Sequence, residues 1–322
     1  MSVTACAHPN IALVKYWGKS NPELNLPAAG SLSITLNQFL TRTRMGEAAE
    51  DLFLLNGQPQ EAARRRVFAW LDAVLPDRPR LRVESENNFP TAAGLASSAS
   101  GFAALTLALD SLLNLNLSLA QRSTMARRGS GSAARSVLGG YVRLAFDAGA
   151  GETTVHGLRD AADWPLEVVV AVTESGPKAV SSGAGMNHSS ATSPYYDRWV
   201  SLVDVDLAAA EEAIAAKDFS ALADVSEASC LAMHAVMMAS RPGLIYLSPA
   251  TLAVIHRIRE LRAGGTNVFF TVDAGPQVKA VCAPGLADEV AADLKRIAGV
   301  TAVHQVGLGP GAWVESTRVE SA

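Results

Sequence analysis

The chain has 322 residues, enough for two domains, and 49% of them are apolar, which is ample for a sizeable core. A charged fraction of 18% argues against disorder, and a net charge of -4 offers no basic field to nucleic acid or anionic lipid. The sequence shows no apolar run of membrane-spanning length, no signal peptide pattern and only three widely spaced cysteines, so we expect a soluble, cytoplasmic protein without disulfides or zinc.

The first half of the chain alternates short strands with helices. Period-two alternation and short apolar runs predict the strands, and apolar residues at helical spacing predict the helices. Asn56-Gly57 is a strong hairpin signal, and Ser118 is a suitable helix N-cap. Strands are predicted at 10–14, 31–36, 42–45, 51–55, 81–86, 140–146 and 166–172, and helices at 61–75, 99–113 and 119–128.

The second half is mostly helical and then returns to strands. Residues 175–193 are rich in Gly, Ser and Ala with little periodicity, and they are predicted to form a loop. Helices are predicted at 195–215, 220–238, 249–261 and 286–298, and strands at 267–272, 278–282 and 301–306. The fold class is therefore α+β, and we predict an N-terminal domain over 1–175 and a C-terminal domain over 176–322.

A turn of small residues, NFPTAAGLASSASG (88–101), joins a strand to an apolar helix. Small residues let backbone N–H groups approach a ligand, and the N-terminal end of the following helix favours an anion by about 0.3–1 kcal/mol. The hydroxyls of Ser97 and Ser98 can bind phosphate or complete the shell of Mg²⁺. The turn matches neither common nucleotide-binding glycine motif, so a plain strand-to-helix turn is an equal alternative at this point.

Three further stretches are polar and rich in small residues, namely 10–19, 129–135 and 271–276. Two Gly/Ser-rich turns that each open a helix, with Lys and Arg nearby, indicate a site for a polyanion. Asp273 follows an apolar strand, and a carboxylate beside phosphate-binding groups can accept a hydroxyl proton during phosphoryl transfer. The alternative is an Asp that initiates a turn by bonding to its own backbone, and spacing alone favours that alternative.

Six motifs together carry a family resemblance. They are PNIALVKYWGK (9–19), SLSITL (31–36), NFPTAAGLASSASGFAAL (88–105), RRGSGSAARS (127–136), GMNHSSATSPYY (185–196) and TVDAGP (271–276). Because it contains these six motifs in this order, the chain resembles the diphosphomevalonate decarboxylase family of the GHMP kinase superfamily. KYWGK combined with NFPTAAGLASSA is specific to these decarboxylases, whereas P-x-x-x-G-L-x-S-S-A alone indicates only the superfamily.

The resemblance implies a fold and a reaction. The expected fold is the GHMP kinase fold, with a ribosomal-S5-like N-terminal domain, a ferredoxin-like C-terminal domain and the active site in the cleft between them. The expected reaction uses ATP and Mg²⁺ to phosphorylate the 3-hydroxyl of mevalonate 5-diphosphate, after which phosphate and CO₂ leave and isopentenyl diphosphate forms. The expected partners are small-molecule substrates and a second copy of the chain in a homodimer. A kinase that stops after phosphorylation and a non-catalytic nucleotide sensor are the rival hypotheses.

The resemblance also implies roles for individual residues. Asp273 is expected to be the catalytic carboxylate, Lys15 its neighbouring cation, and Arg135 the group that grips the substrate carboxylate. The remaining expected contacts are with ATP phosphates (Asn88, Pro90, Ala93, Gly94, Leu95, Ala96, Ser97 and Ser98), with Mg²⁺ (Ser98), and with the phosphorylated substrate (Tyr16, Lys19, Ser130, Gly131 and Ser132).

Two positions depart from the family pattern. Ala29 stands where the family has Asn, and Gly183 stands where the family has an Arg associated with the substrate diphosphate. A missing charge-assisted contact corresponds to about 1.5–3 kcal/mol of binding. The sequence therefore leaves open a decarboxylase that uses mevalonate 5-phosphate instead of the diphosphate.

Overall fold

The computed structural model describes residues 2–89, 97–174, 176 and 179–318, and its architecture is mixed α+β, as predicted. The strands are β1 (Ser2–Ala7), β2 (Asn10–Val14), β3 (Lys19–Asn21), β4 (Leu26–Pro27), β5 (Ser31–Thr35), β6 (Thr41–Glu47), β7 (Leu52–Leu55), β8 (Gln58–Pro59), β9 (Leu81–Asn87), β10 (Tyr141–Asp147), β11 (Glu152–Arg159), β12 (Glu167–Val172), β13 (Val268–Val272), β14 (Val278–Cys282), β15 (Ala302–Gly307) and β16 (Trp313–Arg318). The helices are α1 (Glu61–Val74), α2 (Ser97–Leu112), α3 (Leu119–Gly129), α4 (Ala133–Ser136), α5 (Ser182–Thr192), α6 (Tyr196–Ala216), α7 (Phe219–Met238), α8 (Pro249–Ala263) and α9 (Ala287–Leu294).

The strands form three main sheets and one short two-stranded pair within the described residues. The six-stranded sheet has the order β16-β1-β6-β9-β7-β8, and two four-stranded sheets have the orders β11-β10-β5-β2 and β13-β14-β12-β15. The pair β3-β4 stands apart from them. The first half of the chain therefore supplies most of two sheets, and the second half supplies most of the third.

Strand pairings cross between the two halves of the chain. β16, from the end of the described chain, pairs antiparallel with β1, and Leu308 forms a bridge with Leu36. β12 lies before the predicted domain boundary but pairs with β14 and β15. The division at residue 175 stays a prediction.

Buried apolar side chains form three clusters among the described residues. One cluster lies between the six-stranded sheet and α2, whose residues are buried on nearly every side, as its apolar sequence predicts. A second lies between the β13-β14-β12-β15 sheet and helices α8 and α9. The third joins β2 and β5 to β12, α6 and α7, so it fixes the end of β2 beside the second half of the chain. That fixed position decides which polar side chains meet.

The predicted loop over 175–193 is wrong for residues 182–192, which form α5. Its sequence is Gly- and Ser-rich and has no amphipathic periodicity, so local signals do not indicate a helix. Packing provides the reason: a Cβ at Gly185 would lie 2.6 Å from the Tyr246 hydroxyl and 3.1 Å from the Trp17 ring. Small residues let this helix approach two aromatic side chains closely.

The sequence did not indicate β1, β11 or β16, and the helix predicted at 286–298 is shorter, ending at Leu294. Within the described residues, none of the helices combines the length and the apolar character needed to cross a bilayer.

Candidate active site

The Asp273 carboxylate lies at the turn of the β13–β14 hairpin. The Gly275 N–H donates to the Asp273 carbonyl at 2.7 Å and closes the turn. Asp273 Oδ1 accepts a hydrogen bond from Lys15 Nζ at 2.7 Å, and Oδ2 accepts one from Lys279 Nζ at 3.0 Å. The carboxylate therefore lies between two ammonium groups, which a simple turn-initiating Asp does not require.

Lys15 reaches Asp273 because β2 and β13 are tied together. The Thr271 hydroxyl on β13 donates to the carbonyl of Ala12 on β2 at 3.1 Å, and the Lys15 N–H donates to Ser229 Oγ on α7 at 3.1 Å. Lys15 is only 1% exposed. Its ammonium group is thus held in place by three elements from both halves of the chain.

Two opposing effects act on Asp273. Burial alone raises the pKa of a carboxyl group, but the charges of Lys15 and Lys279 and their hydrogen bonds outweigh burial here. The pKa of Asp273 is therefore held well below its usual value. The group is ionised throughout the physiological pH range, and it is a weak base.

Lys279 is a site residue that sequence analysis missed. It lies within the apolar segment VKAVC of β14 and is 1% exposed. A lysine in a buried apolar strand requires an anionic partner, because an unpaired buried ammonium costs several kcal/mol. That signal was present in the sequence, but it does not say which carboxylate is the partner.

Arg135 lies on α4 and is almost completely buried at 1% exposure. Its Nη1 donates to Ser31 Oγ at 2.5 Å, its Nη2 donates to Asn10 Oδ1 at 3.3 Å, and its Nε has no partner among the described residues. Burial lowers the pKa of the guanidinium to about 10, although the charges of Tyr16 and Asp273 act in the opposite direction. Arg135 is therefore a charged group held by neutral partners, ready for an anion.

Serine hydroxyls from two turns meet beside the N-terminal end of α2. Ser98 Oγ lies 3.2 Å from Ser130 Oγ, which lies 3.5 Å from Ser132 Oγ. Ser97 and Ser98 form the first turn of α2, whose N–H groups have no partner within the helix. The two Gly/Ser-rich turns thus converge, which is the geometry expected of an anion site.

Tyr16 and Gly131 are in close contact. A Cβ at Gly131 would lie 2.3 Å from the Tyr16 hydroxyl, so only glycine fits there without a shift. Burial raises the pKa of the Tyr16 phenol to about 12, and the hydroxyl has no hydrogen-bond partner among the described residues. It is therefore a neutral donor available to a ligand. Lys19 is less buried, and burial followed by the charge of Arg66 lowers its pKa.

A cavity of about 590 Å³ brings these groups together. Every predicted site residue that the structure describes lines it, with the exception of Asn88. The Asn88 amide instead accepts from the Leu40 N–H at 2.7 Å and donates to the Gln38 carbonyl at 2.6 Å, so it fixes a neighbouring loop. The predicted phosphate contacts that fall outside the described residues are Pro90, Ala93, Gly94, Leu95 and Ala96.

Two further elements, α1 and α5, reach the same cavity. Arg66 from α1 lines it, donates to the Gly129 carbonyl at 2.8 Å and lies over the Phe102 ring at 5.0 Å. Gly183 and Met186 enter it from α5, which the sequence analysis had placed in a loop. No atom of the described residues lies within 4 Å of a Cβ placed on Gly183, so the described part of this wall of the cavity is open.

The charges in the cavity are unbalanced. Among the described residues that line it, four cations face a single carboxylate, Asp273; the cations are Lys15, Lys19, Arg66 and Arg135. Such a site favours ligands that carry several negative charges, because each ligand anion offsets a desolvated cation. Hydroxyl groups, a helix end and an ionised carboxylate beside an ammonium are what phosphoryl transfer to an alcohol needs.

Comparison with known proteins identifies relatives along most of the chain. A family model described as "Diphosphomevalonate decarboxylase-like N-terminal domain" matches residues 7–155, and one described as "Mevalonate 5-diphosphate decarboxylase C-terminal domain" matches residues 168–306. The diphosphomevalonate decarboxylase of Aspergillus fumigatus is 37% identical over 326 residues, which is 92% of this chain and 80% of the relative.

Solved structures share the whole fold. The crystal structure of mevalonate diphosphate decarboxylase from Staphylococcus aureus is 33% identical, has a TM-score of 0.91 and is matched over 98% of both chains. A structure described as "MDDEF in complex with MVAPP, AMPPCP and Magnesium" is 38% identical, with a TM-score of 0.90 over 98% of this chain and 99% of the other. These likenesses confirm the two-domain α+β fold that the sequence motifs implied.

Proposed function

The chain belongs to the diphosphomevalonate decarboxylase family of the GHMP kinase superfamily, and we propose that it catalyses the ATP-dependent decarboxylation of mevalonate 5-diphosphate to isopentenyl diphosphate. It is an ATP-dependent carboxy-lyase whose cofactors are ATP and Mg²⁺.

One observation supports decarboxylation in particular: Arg135 is a buried guanidinium held only by neutral groups among the described residues. A planar guanidinium binds a carboxylate through two parallel hydrogen bonds. It lines the same cavity as Asp273, so a substrate that has both a hydroxyl and a carboxylate can reach both groups. A kinase whose substrate has no carboxylate does not need this cation, and release of CO₂ distinguishes a decarboxylase from a kinase that stops after phosphorylation.

The first half of the reaction transfers the γ-phosphoryl group of ATP to the 3-hydroxyl. Asp273 accepts a hydrogen bond from that hydroxyl and so orients the hydroxyl oxygen toward the γ-phosphorus. ADP leaves as the new O–P bond forms. The pKa of Asp273 is held too low for the carboxylate to keep the proton that the hydroxyl loses, so this proton passes on to water or to a phosphate oxygen. Lys15 offsets the negative charge at the transferring group.

The described residues fit Mg²⁺ as part of a nucleotide complex. They include no group of three His, Cys, Asp or Glu that could hold a metal ion without it. Mg²⁺ commonly keeps waters and phosphate oxygens as ligands, so the Ser98 hydroxyl at the start of α2 suffices as a protein contact. Bound with the nucleotide, the ion neutralises phosphate charge.

The second half of the reaction breaks two bonds and forms one. The C3–O bond breaks and phosphate leaves with the electron pair, while the C–C bond to the carboxylate breaks and its pair forms the alkene as CO₂ departs. Phosphorylation is needed because a tertiary hydroxyl is a poor leaving group. Arg135 holds the carboxylate so that the breaking C–C bond is aligned with the leaving phosphate.

A coupled assay tests the proposal directly. ADP and CO₂ are measured together with mevalonate 5-diphosphate and, in parallel, with mevalonate 5-phosphate. We expect equal amounts of both products from the diphosphate. ADP without CO₂ identifies a kinase, and no CO₂ from either substrate contradicts the proposal.

Gly183 is the observation that keeps the monophosphate as a second candidate substrate. It lies in the first turn of α5, after the N-cap Ser181, and opens onto the cavity. In the family, an Arg at this position is associated with the substrate diphosphate. Gly183 has no side chain, so this position does not supply that cation.

The variant Gly183→Arg is expected to lower KM for mevalonate 5-diphosphate by about tenfold or more, because one charge-assisted contact contributes about 1.5–3 kcal/mol. A Cβ at position 183 meets no atom of the described residues within 4 Å, so the first atom of the new side chain fits. KM for the monophosphate changes less. Gly183→Gln, which adds length without charge, is the matched control. If Gly183→Arg and Gly183→Gln have the same KM for the diphosphate and the same KM for the monophosphate, the role assigned to this wall is contradicted.

The variant Gly131→Ala is expected to raise KM for the phosphorylated mevalonate about tenfold with a smaller change in kcat. Its Cβ would lie 2.3 Å from the Tyr16 hydroxyl and displace that donor from the cavity. Gly101→Ala, where a Cβ meets nothing within 4 Å, is the control. Unchanged KM in Gly131→Ala shows that the Tyr16 hydroxyl does not contact substrate.

We further propose that the protein is a cytoplasmic homodimer. Its three cysteines are all free and buried, which supports a reducing compartment. The homodimer rests on the family resemblance, and sedimentation equilibrium tests it by measuring the mass in solution.

A further inference from the structure

Lys279 is placed by the register of the β13–β14 hairpin. It lies opposite Thr271, whose hydroxyl bonds to Ala12, so both side chains are on the face of the sheet that meets β2. From there Lys279 Nζ reaches Asp273 Oδ2 at 3.0 Å, while Lys15 Nζ holds Oδ1 at 2.7 Å. One ammonium is bound to each carboxylate oxygen.

A buried ion pair of this kind contributes little to the free energy of folding. Desolvation of a buried ammonium offsets most of its attraction to the carboxylate, and replacement of buried ion pairs by apolar residues is often neutral for folding. Lys279 is 1% exposed and is surrounded along β14 by apolar neighbours that already form a core. Its contact with Asp273 therefore points to a role in the site.

The two lysines do different things. Lys15 lines the cavity. Lys279 is not among the residues that line it, and its ammonium group contacts Asp273 Oδ2. Among the described residues, only Lys15 would still hold the carboxylate without Lys279, and the carboxylate could then rotate about its Cβ–Cγ bond. With it, the carboxylate plane is fixed, and the remaining lone pairs keep one direction relative to the cavity.

We propose that Lys279 is a positioning residue for phosphoryl transfer, which fixes the orientation and the charge of Asp273 without contacting substrate. This inference rests on the proposed function, because it assigns Asp273 the task of orienting the 3-hydroxyl.

The groups that face Asp273 come from four elements or their ends. Lys15 follows β2, Lys279 is on β14, Arg135 is on α4, and His234 and Cys230 are on α7. Burial lowers the pKa of His234 to about 4, with the charge of Lys15 acting in the same direction, and burial raises the pKa of the Cys230 thiol. Both α7 groups are neutral near pH 7, so the charged groups that face Asp273 among the described residues are all cations.

The sign of the pH effect follows from these charges. Lys279 lowers the pKa of Asp273, so its removal raises that pKa, although Lys15 and Arg135 still keep the carboxylate ionised near neutrality. The ionised form is the active one. The acid limb of the pH–rate profile therefore moves to higher pH when Lys279 is replaced.

Steady-state kinetics of Lys279→Met, Lys279→Arg and the wild type give the first test, with the exposed Lys295→Met as the matched control. We expect Lys279→Met to lower kcat about 10- to 100-fold, with KM for both substrates within about threefold of the wild type. In this variant the acid limb of the pH–rate profile moves to higher pH. In Lys279→Arg part of the lost kcat returns, and the acid limb lies between those of the wild type and Lys279→Met. Lys295→Met behaves as the wild type.

NMR of protein labelled at the aspartate side-chain carboxyl carbons gives a second readout that does not depend on activity. Asp273→Asn assigns the resonance, and the resonance is followed on lowering the pH in the wild type and in Lys279→Met. We expect its titration midpoint at higher pH in the variant. An unchanged midpoint, an unchanged acid limb, or a rise in KM alone overturns the proposal. A wild type that releases no CO₂ overturns the proposed function instead, while the NMR comparison still tests the Lys279–Asp273 coupling.

Discussion

Asp273→Asn is expected to lower kcat about 1,000-fold or more, the largest effect of any substitution considered for this protein. The amide keeps the size of the carboxylate but removes the charge that lies between Lys15 and Lys279. Its NH₂ group also donates where the carboxylate accepts, so one ammonium is left without an acceptor and the substrate hydroxyl loses its orientation. ADP and CO₂ are measured at saturating substrate to separate kcat from KM.

Asp293→Asn is the matched control for this variant. Asp293 is also partly buried and paired with a cation, Arg257 at 2.6 Å, but it lies on α9 away from the cavity. Thermal unfolding of both variants separates lost stability from lost chemistry. Turnover of Asp273→Asn within a few-fold of the wild type contradicts the role assigned to Asp273.

Arg135→Lys is expected to lower kcat/KM for the phosphorylated mevalonate about 100- to 1,000-fold, with little change in the affinity for nucleotide. The substitution keeps one positive charge but loses the planar fork that matches a carboxylate. It also leaves either Ser31 Oγ or Asn10 Oδ1 without its present donor. Isothermal titration with the substrate and, separately, with an ATP analogue measures the two affinities.

The control for Arg135→Lys is Arg143→Lys. Arg143, unlike Arg135, is held by an ion pair, to Glu211 at 2.8 Å, and it lies on β10 outside the cavity. If Arg135→Lys binds substrate as the wild type does and releases CO₂ at the wild-type rate, Arg135 does not hold the substrate carboxylate.

Local signals predicted the elements whose ends are determined by nearby residues. Ser118 was recognised as an N-cap from the sequence, and it forms a capping box with Gln121. Asn56-Gly57 was recognised as a hairpin turn, and both residues have positive φ angles between β7 and β8. In each case the physical cause lies within about four residues of the signal.

Elements fixed by distant contacts were missed for the same reason. α5 depends on Trp17 and Tyr246, which lie far from it in the sequence. β1 is defined by β6 on one side and by β16 on the other, and no local pattern reports either neighbour. Tertiary packing here overrides weak local preference.

Some residues of the candidate site were likewise indicated by local signals, and others were not. Residue types and turn chemistry pointed to an anion site at Ser97, Ser98 and Ser130, and spacing alone favoured a turn-initiating role for Asp273. Motif resemblance was needed to connect Asp273 with Lys15 and Arg135. Lys279 could be suspected as a buried lysine, but its partner becomes visible only when the hairpin register places it opposite Thr271.

The pairing of β16 with β1 has a consequence for biosynthesis. β6 is available to β1 soon after both leave the ribosome, but β16 is made after every other strand that the structure describes. Until then one edge of β1 is open, and an unpaired edge strand is a template for pairing between chains. The first sheet of a nascent chain is thus completed last, and in the interval it has an open β1 edge that β16 covers in the folded protein.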